Sequence, residues 1–240
     1  MRRFLGLIAV FWIAANGAAT GQSQSSDNGA DYPIVVELFT SQGCSSCPPA
    51  DVLLHKLSAR SDVITLALHV DYWDYIGWKD VFAKPAFTER QHAYARAGNR
   101  RSVYTPQMIV SGVDHVVGNR PKDVAALIAR HTGKMGDVAL RIARSGDKID
   151  INVSAHRPIE GKLVVQLVRY IPRQVVAIKR GENAGRNLSY SNIVTDWRVL
   201  RDWNPAKPIN FQTRIKGDAP VVVIVQRKGQ GAILAAARLR

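Results

Sequence analysis

The stretch VELFTSQGCSSCPPAD, residues 36–51, decides how the first half of this chain is read. Its upstream part belongs to an apolar, β-branched run, 34–39, with Pro33 before it and the polar turn Thr40, Ser41, Gln42, Gly43 after it. Such a run predicts a buried strand. From Cys47 the spacing turns helical, with Ala50, Val52, Leu53 and Leu57 able to share a face. Pro48 and Pro49 fit only in a first helical turn, where a missing N–H has no partner to lose. The spacing therefore predicts a strand-to-helix junction with Cys44 at the helix N-terminus.

That placement carries chemistry. Unsatisfied N–H groups and the helix dipole favour a thiolate, the attacking species in disulfide exchange. Cys44 is the expected attacking sulfur and Cys47, one turn inside, the resolving one. These are the only two cysteines in 240 residues, so a disulfide scaffold is excluded and the pair can close only on itself. Metal binding through Cys44, Cys47 and His69 would leave a zinc site one ligand short, whereas copper(I) suits two thiolates. No metal and no cofactor is expected at the site, and a copper(I) metallochaperone stands as an alternative.

Downstream, 63–70 (VITLALHV) reads as a second buried strand, parallel to the first through a right-handed crossover. Residues 87–97 have helical spacing ended by Gly98 and Asn99, and 121–131 predict a closing helix. Between them Thr105 and Pro106 lead into the apolar run 107–110, with a hairpin turn at Gly112.

In this element order residues 33–131 resemble the thioredoxin superfamily. The 36–51 run is similar to a family of exported bacterial proteins described as a domain of unknown function with a thioredoxin-like fold. The resemblance implies that Cys44 and Cys47 are the redox pair, that Pro106 is a cis-proline, and that the Thr105 backbone meets substrate. It also implies a catalytic role for Glu37, a buried acid beneath the second cysteine that takes its proton. A strand-edge acid paired with a basic residue is the other reading of Glu37. The Ser45-Ser46 dipeptide departs from the Gly-Pro of thioredoxins, so no redox potential carries over, and 70–85 is longer than the usual connection.

Residues 68–80 (LHVDYWDYIGWKD) concentrate His, Asp and aromatic side chains after the second strand, on the sheet edge where α/β folds gather ligands. His69, Asp71, Trp73 and Trp78 are candidates to line a substrate groove; an ordinary packed loop is the alternative.

Beyond about residue 135 the apolar pattern alternates. Ile149, Ile151, Val153 and Ala155 share one face of 148–156, and similar runs recur at 138–144, 162–170, 174–179, 193–200, 209–215, 220–226 and 232–238. The expected fold is an α/β thioredoxin-like domain, 33–132, followed by an all-β antiparallel sandwich-like domain, 135–240. The 181–192 loop, with Arg186 and Asn187, is long enough to reach the first of these.

The chain opens with Arg2 and Arg3, an apolar run over 4–15, and small residues at Gly17, Ala18 and Ala19. This is the layout of a secretory signal peptide over 1–21, followed by a polar linker, 22–32. The expected location is periplasmic or secreted, with no stable membrane insertion once the leader is cleaved. Hydrophobic residues make up 46% and charged residues 22%, the balance of a folded protein. The net charge of +14 is scattered, without zinc-finger spacing or an aromatic RNA-binding signature, so nucleic acid is not an expected partner. The expected activity is thiol–disulfide exchange with protein thiols or disulfides. A non-catalytic thioredoxin-fold binding protein with a structural disulfide is the reading from another class.

Overall fold

The computed structural model describes residues 24–28, 33–133 and 136–240; the expected leader, 1–21, lies outside them. In chain order the elements are β1 (Gln24–Asn28), β2 (Ile34–Thr40), α1 (Pro48–Ser58), β3 (Val63–His69), a 3-10 turn (Asp74–Ile76) and α2 (Pro85–Ala97). Then come β4 (Gln107–Val110), β5 (Asp114–Val117), α3 (Pro121–His131), β6 (Val138–Ser145) and β7 (Lys148–Ala155). The chain ends with β8 (Leu163–Ala177), β9 (Asn187–Trp203), β10 (Ile209–Arg214), β11 (Val221–Arg227) and β12 (Ile233–Leu239). Part of the stretch expected as linker thus forms a strand, β1, which pairs antiparallel with β6. Among the described residues no helix is long and apolar enough to cross a membrane.

The strands form two sheets. One has eight strands in the order β12-β11-β8-β9-β3-β2-β4-β5, and the other has four, β1-β6-β7-β10. This corrects the expected architecture. The chain is not an α/β thioredoxin-like domain followed by a separate sandwich, because strands from both halves share one mixed sheet. The joint is β3 against β9, parallel, with Ala67 opposite Ile193. Alternating patterns gave each strand its two faces, but a period of two says nothing about which edges meet.

Side-chain alternation explains the layers. In β2, Val36 and Leu38 turn to α1 and α3, where they meet Leu54, Leu57, Val124 and Ile128. Val35 and Phe39 turn to the other face and pack with Phe87 and Tyr94 of α2. This second core continues across the sheet to Val168, Tyr170, Val194, Val222, Ile224 and Ala236. The intervening positions Val165, Leu167, Val221 and Val223 face the four-stranded sheet and bury Leu140, Ile142, Ile149, Ile151 and Val153. Each such aliphatic side chain contributes about 1.5–3 kcal/mol when fully withdrawn from water.

The β8–β9 hairpin is the element that shapes the site. Its strands are longer than the sequence runs that announced them, with bulges at Val165/Gln166 and Arg169/Tyr170. β11 accompanies β8 only over Leu163–Arg169, so the outer part of the hairpin projects as an arm. Ile178, Leu188, Tyr190 and Ile193 anchor that arm against Trp78 and Phe82.

Candidate functional site

The site begins where β2 runs out. Cys44 N–H donates to the Ser41 carbonyl at 3.2 Å and Cys47 N–H to the Cys44 carbonyl at 3.3 Å, winding the chain into α1. Cys47 is the N-cap of α1, with Pro48 following it, so Cys44 stands one turn ahead of the helix rather than at its first residue. Gly43 fits a tight space, because a Cβ would come within 3.1 Å of Ile76 Cδ1 and 3.2 Å of Trp73 Cβ, and these neighbours would have to give way.

Cys44 and Cys47 are joined by a disulfide, with their Cα atoms 5.4 Å apart. Both cysteines are 0% exposed, although Ser45 and Ser46 between them face solvent. The Thr105–Pro106 peptide is cis. The Thr105 carbonyl accepts a hydrogen bond from Ser46 Oγ at 3.5 Å, which sets this backbone beside the dipeptide. Trp73 Nε1 donates to Thr105 Oγ1 at 2.8 Å, and Trp78 Nε1 donates to Gln42 Oε1 at 2.8 Å. Both tryptophans therefore brace the loops around the disulfide.

The remaining residues singled out in the sequence are placed differently. Asp71 accepts a hydrogen bond from Thr88 Oγ1 at 2.6 Å and so ties its loop to α2. His69 is fully buried and lines no groove. Its Nδ1 donates to Asp80 Oδ2 at 2.6 Å, and its ring packs edge-on against both Phe82 and Tyr190, which also touch each other. Glu37 lies on the α2 face of β2, opposite α1. Arg90 holds it with bonds of 2.7 and 3.0 Å, and Tyr94 OH donates to it at 2.5 Å. The alternation that turns Leu38 toward α1 turns Glu37 away, so Glu37 is not the acid beneath Cys47.

A different buried acid lies on α1: Asp51, whose N–H donates to the Cys47 carbonyl at 3.2 Å. It lies four residues beyond Cys47 on α1, a spacing that puts the two on one helix face. The residue is buried and accepts a hydrogen bond from Thr40 Oγ1 at 3.3 Å. Burial pushes its carboxyl up from 3.8 to about 7, against the lowering influence of His69 and Thr40; Asp80 raises it further. Asp51 Oδ1, His69 Nε2, Gln42 Nε2 and Tyr190 OH are buried without a hydrogen-bond partner. Asp80 closes the cluster by accepting the Gln42 and Phe82 N–H groups, each at 2.8 Å. The sequence did carry a sign of Asp51, an acid adjoining Ala50 and three residues before Leu54 on a buried helix face.

The tip of the β8–β9 arm completes the site. Asn183, buried, donates through Nδ2 to the carbonyls of Gln42 and Cys44, each at 3.0 Å. Glu182 Oε2 accepts the Ser45 N–H at 3.3 Å. Arg186 Nη1 donates to Asn183 Oδ1 at 2.8 Å and steadies the amide. The contact with the cysteine loop is thus made by Glu182 and Asn183, while Asn187 opens β9. Among the described residues no group of three or more His, Cys, Asp and Glu side chains is arranged to hold a metal ion.

Fold and site together define a mixed-sheet protein with a Cys-x-x-Cys disulfide set between a strand and a helix. The chain belongs to the family described as a protein of unknown function (DUF1223), whose model matches residues 35–226. It is similar to the X-ray crystal structure of an Agrobacterium tumefaciens protein, at 36% identity and a TM-score of 0.73. That match covers 86% of this chain and 93% of the other. HBP35 of Porphyromonas gingivalis is similar in fold alone, at 12% identity and a TM-score of 0.57, over 88% of this chain and 76% of that one. No curated protein matches the chain.

Proposed function

We propose that this protein is an exported thiol–disulfide oxidoreductase acting on protein thiols or disulfides through Cys44 and Cys47. The observation that carries the reading is a disulfide closing a four-residue loop at the start of α1, beside the Thr105 backbone. So short a loop removes little entropy from the unfolded chain, so stapling alone is a poor reason for the bond. The motif at 36–51 and the Thr105–Pro106 segment support kinship of this site with thioredoxin-superfamily sites. The leader-like pattern of residues 1–21 supports export.

In the reductive direction the Cys44 thiolate attacks one sulfur of a substrate disulfide. The substrate S–S bond breaks, and the departing sulfur takes a proton from water. Cys47 then gives its proton to the Asp51 carboxylate and attacks the Cys44 sulfur. The mixed disulfide breaks, the Cys44–Cys47 bond forms, and the second substrate sulfur is protonated. Two electrons pass from the pair to the substrate, and the reverse sequence oxidises a substrate dithiol. Asp51 suits the transfer because its carboxyl titrates near the working pH.

Complete burial of both cysteines favours a second reading, a structural disulfide in a binding protein. Trapping separates the two. Cys47→Ser in cells of the source organism is expected to accumulate mixed disulfides through Cys44 that vanish in the Cys44→Ser/Cys47→Ser double variant. An empty trap, together with a reduction potential below about −300 mV in glutathione buffers, would establish the structural reading.

A further inference from the structure

Disulfide exchange needs an incoming sulfur to reach Cys44, yet both sulfurs of the pair are buried. Some part of the surround must move. The β8–β9 tip is fastened to both sides of the Cys44–Ser45 peptide: Asn183 grips the Gln42 and Cys44 carbonyls, and Glu182 takes the Ser45 N–H.

The tip is built as a self-contained turn. Ile178 N–H donates to the Arg186 carbonyl at 2.9 Å and Gly185 N–H to the Ile178 carbonyl at 2.8 Å. Ala184 N–H closes onto Gly181 at 3.1 Å. Gly181 and Gly185 take positive φ values of 76° and 81°. Gly181 packs on Trp78, where a Cβ would come within 3.2 Å of the Trp78 Cβ, whereas a Cβ at Gly185 would meet nothing within 4 Å. Beyond the tip, Ile178 and Leu188 are buried and hold the arm in place. The tip can therefore lift as a unit from the Cys loop while the arm below it stays packed.

The fastening also carries a charge whose effect depends on redox state. The disulfide is neutral, so a carboxylate on the Ser45 N–H is tolerated. Reduction converts the adjacent Cys44 to a thiolate, which puts a second negative charge one residue from the Ser45 N–H that Glu182 holds.

We propose that residues 179–186 are a redox-coupled latch: Asn183 and Glu182 close the tip over the oxidised pair, and reduction of Cys44 drives Glu182 off Ser45 and opens the site to protein substrates. This rests on Cys44 and Cys47 being redox-active. By reciprocity, whatever lifts the tip makes the pair easier to reduce.

Lys179, Arg180 and Arg186 make the tip a trypsin target, so limited proteolysis of the purified protein reads its position without any substrate. In the reduced protein, cleavage at these three residues is expected to run about tenfold faster than in the oxidised protein, as local opening rises. Cleavage elsewhere in the chain serves as the folding control and stays unchanged. Asn183→Ala is expected to speed cleavage of the oxidised form and its reduction by dithiothreitol. Glu182→Gln keeps the Ser45 contact without the charge, so reduction no longer accelerates cleavage, and Cys44 alkylates about threefold faster at pH 6 because its thiolate has lost a like-charged neighbour. Equal tip cleavage in oxidised and reduced wild-type protein would overturn the latch, and would do so even if Cys47→Ser still traps substrates. Redox-dependent cleavage with an empty trap would keep the latch and remove the oxidoreductase.

Discussion

At the scale of single residues, two buried acids divide the labour that the sequence assigned to one. Glu37 is neutralised by Arg90 and holds α2 to the sheet, while Asp51 has one carboxylate oxygen without a partner and faces His69, Asp80 and Tyr190. Raising the Asp51 carboxyl from 3.8 to about 7 has a consequence for stability. Between those values the folded protein keeps a proton that the unfolded chain has released. The contribution of Asp51 to stability is therefore full below about pH 4, falls as pH rises toward 7, and is lost above it, with a span on the order of 4 kcal/mol. Urea unfolding from pH 4 to 8 is expected to show this decline, and Asp51→Asn to flatten it; an equally steep decline in the variant would contradict the assignment. The Cys44–Cys47 pairing was legible because the chain has no other cysteine, and the cis Thr105–Pro106 peptide because a proline directly before an apolar strand resembles the cis-proline segment of thioredoxins. Glu37 was misplaced because its side is set by strand alternation, and an apolar run such as 34–39, buried on both faces, does not say which residue faces which layer.

At the scale of elements, α2 is pinned to the large sheet by a polar contact inside an apolar core. Arg90 lies 3.7 Å from the Trp197 ring centroid and 5.0 Å from that of Tyr94, and donates to Glu37 and to Gln226 Oε1. One side chain thus joins α2, β2, β9 and β11. Replacing Arg90 by Leu strands the Glu37 carboxylate in the core and is expected to cost about 3–5 kcal/mol in chemical unfolding. The double variant Glu37→Leu/Arg90→Leu is expected to recover most of that loss, since it removes the uncompensated charge; no recovery would mean that the packing of Arg90 matters more than the charge. The helix at 121–131 and the strand at 148–156 were legible from spacing, and α1 from spacing with Pro48 and Pro49, although Val52, read as part of its buried face, is exposed; β8 was split in two at Pro172. That proline is tolerated inside the strand because the pairing of β8 with β11 stops at Arg169, so no bond to β11 is lost there.

At the scale of the whole molecule, the sharing of one sheet makes each half depend on the other. β3 is an interior strand because β9 lies against it, through Ala67 and Ile193 and through Asn192, whose Nδ2 donates to the Thr65 carbonyl and Oγ1 at 3.0 and 2.8 Å. The His55–Ser191 hydrogen bond at 2.9 Å adds a tie from α1 to β9. More weight lies in the core beneath α2, where Val168, Tyr170, Val194, Val222, Ile224 and Ala236 from the C-terminal half pack with Phe87 and Tyr94. A fragment of residues 33–132 would expose that apolar surface and leave β3 as an unprotected edge, an invitation to association. The chain without residues 1–21 is expected to unfold in a single urea transition seen alike by circular dichroism and tryptophan fluorescence. The 33–132 fragment is expected to show no cooperative transition and to aggregate at micromolar concentration. A fragment that unfolds cooperatively as a monomer would show that the N-terminal half carries a complete core of its own, and that the shared sheet is a contact between independent units.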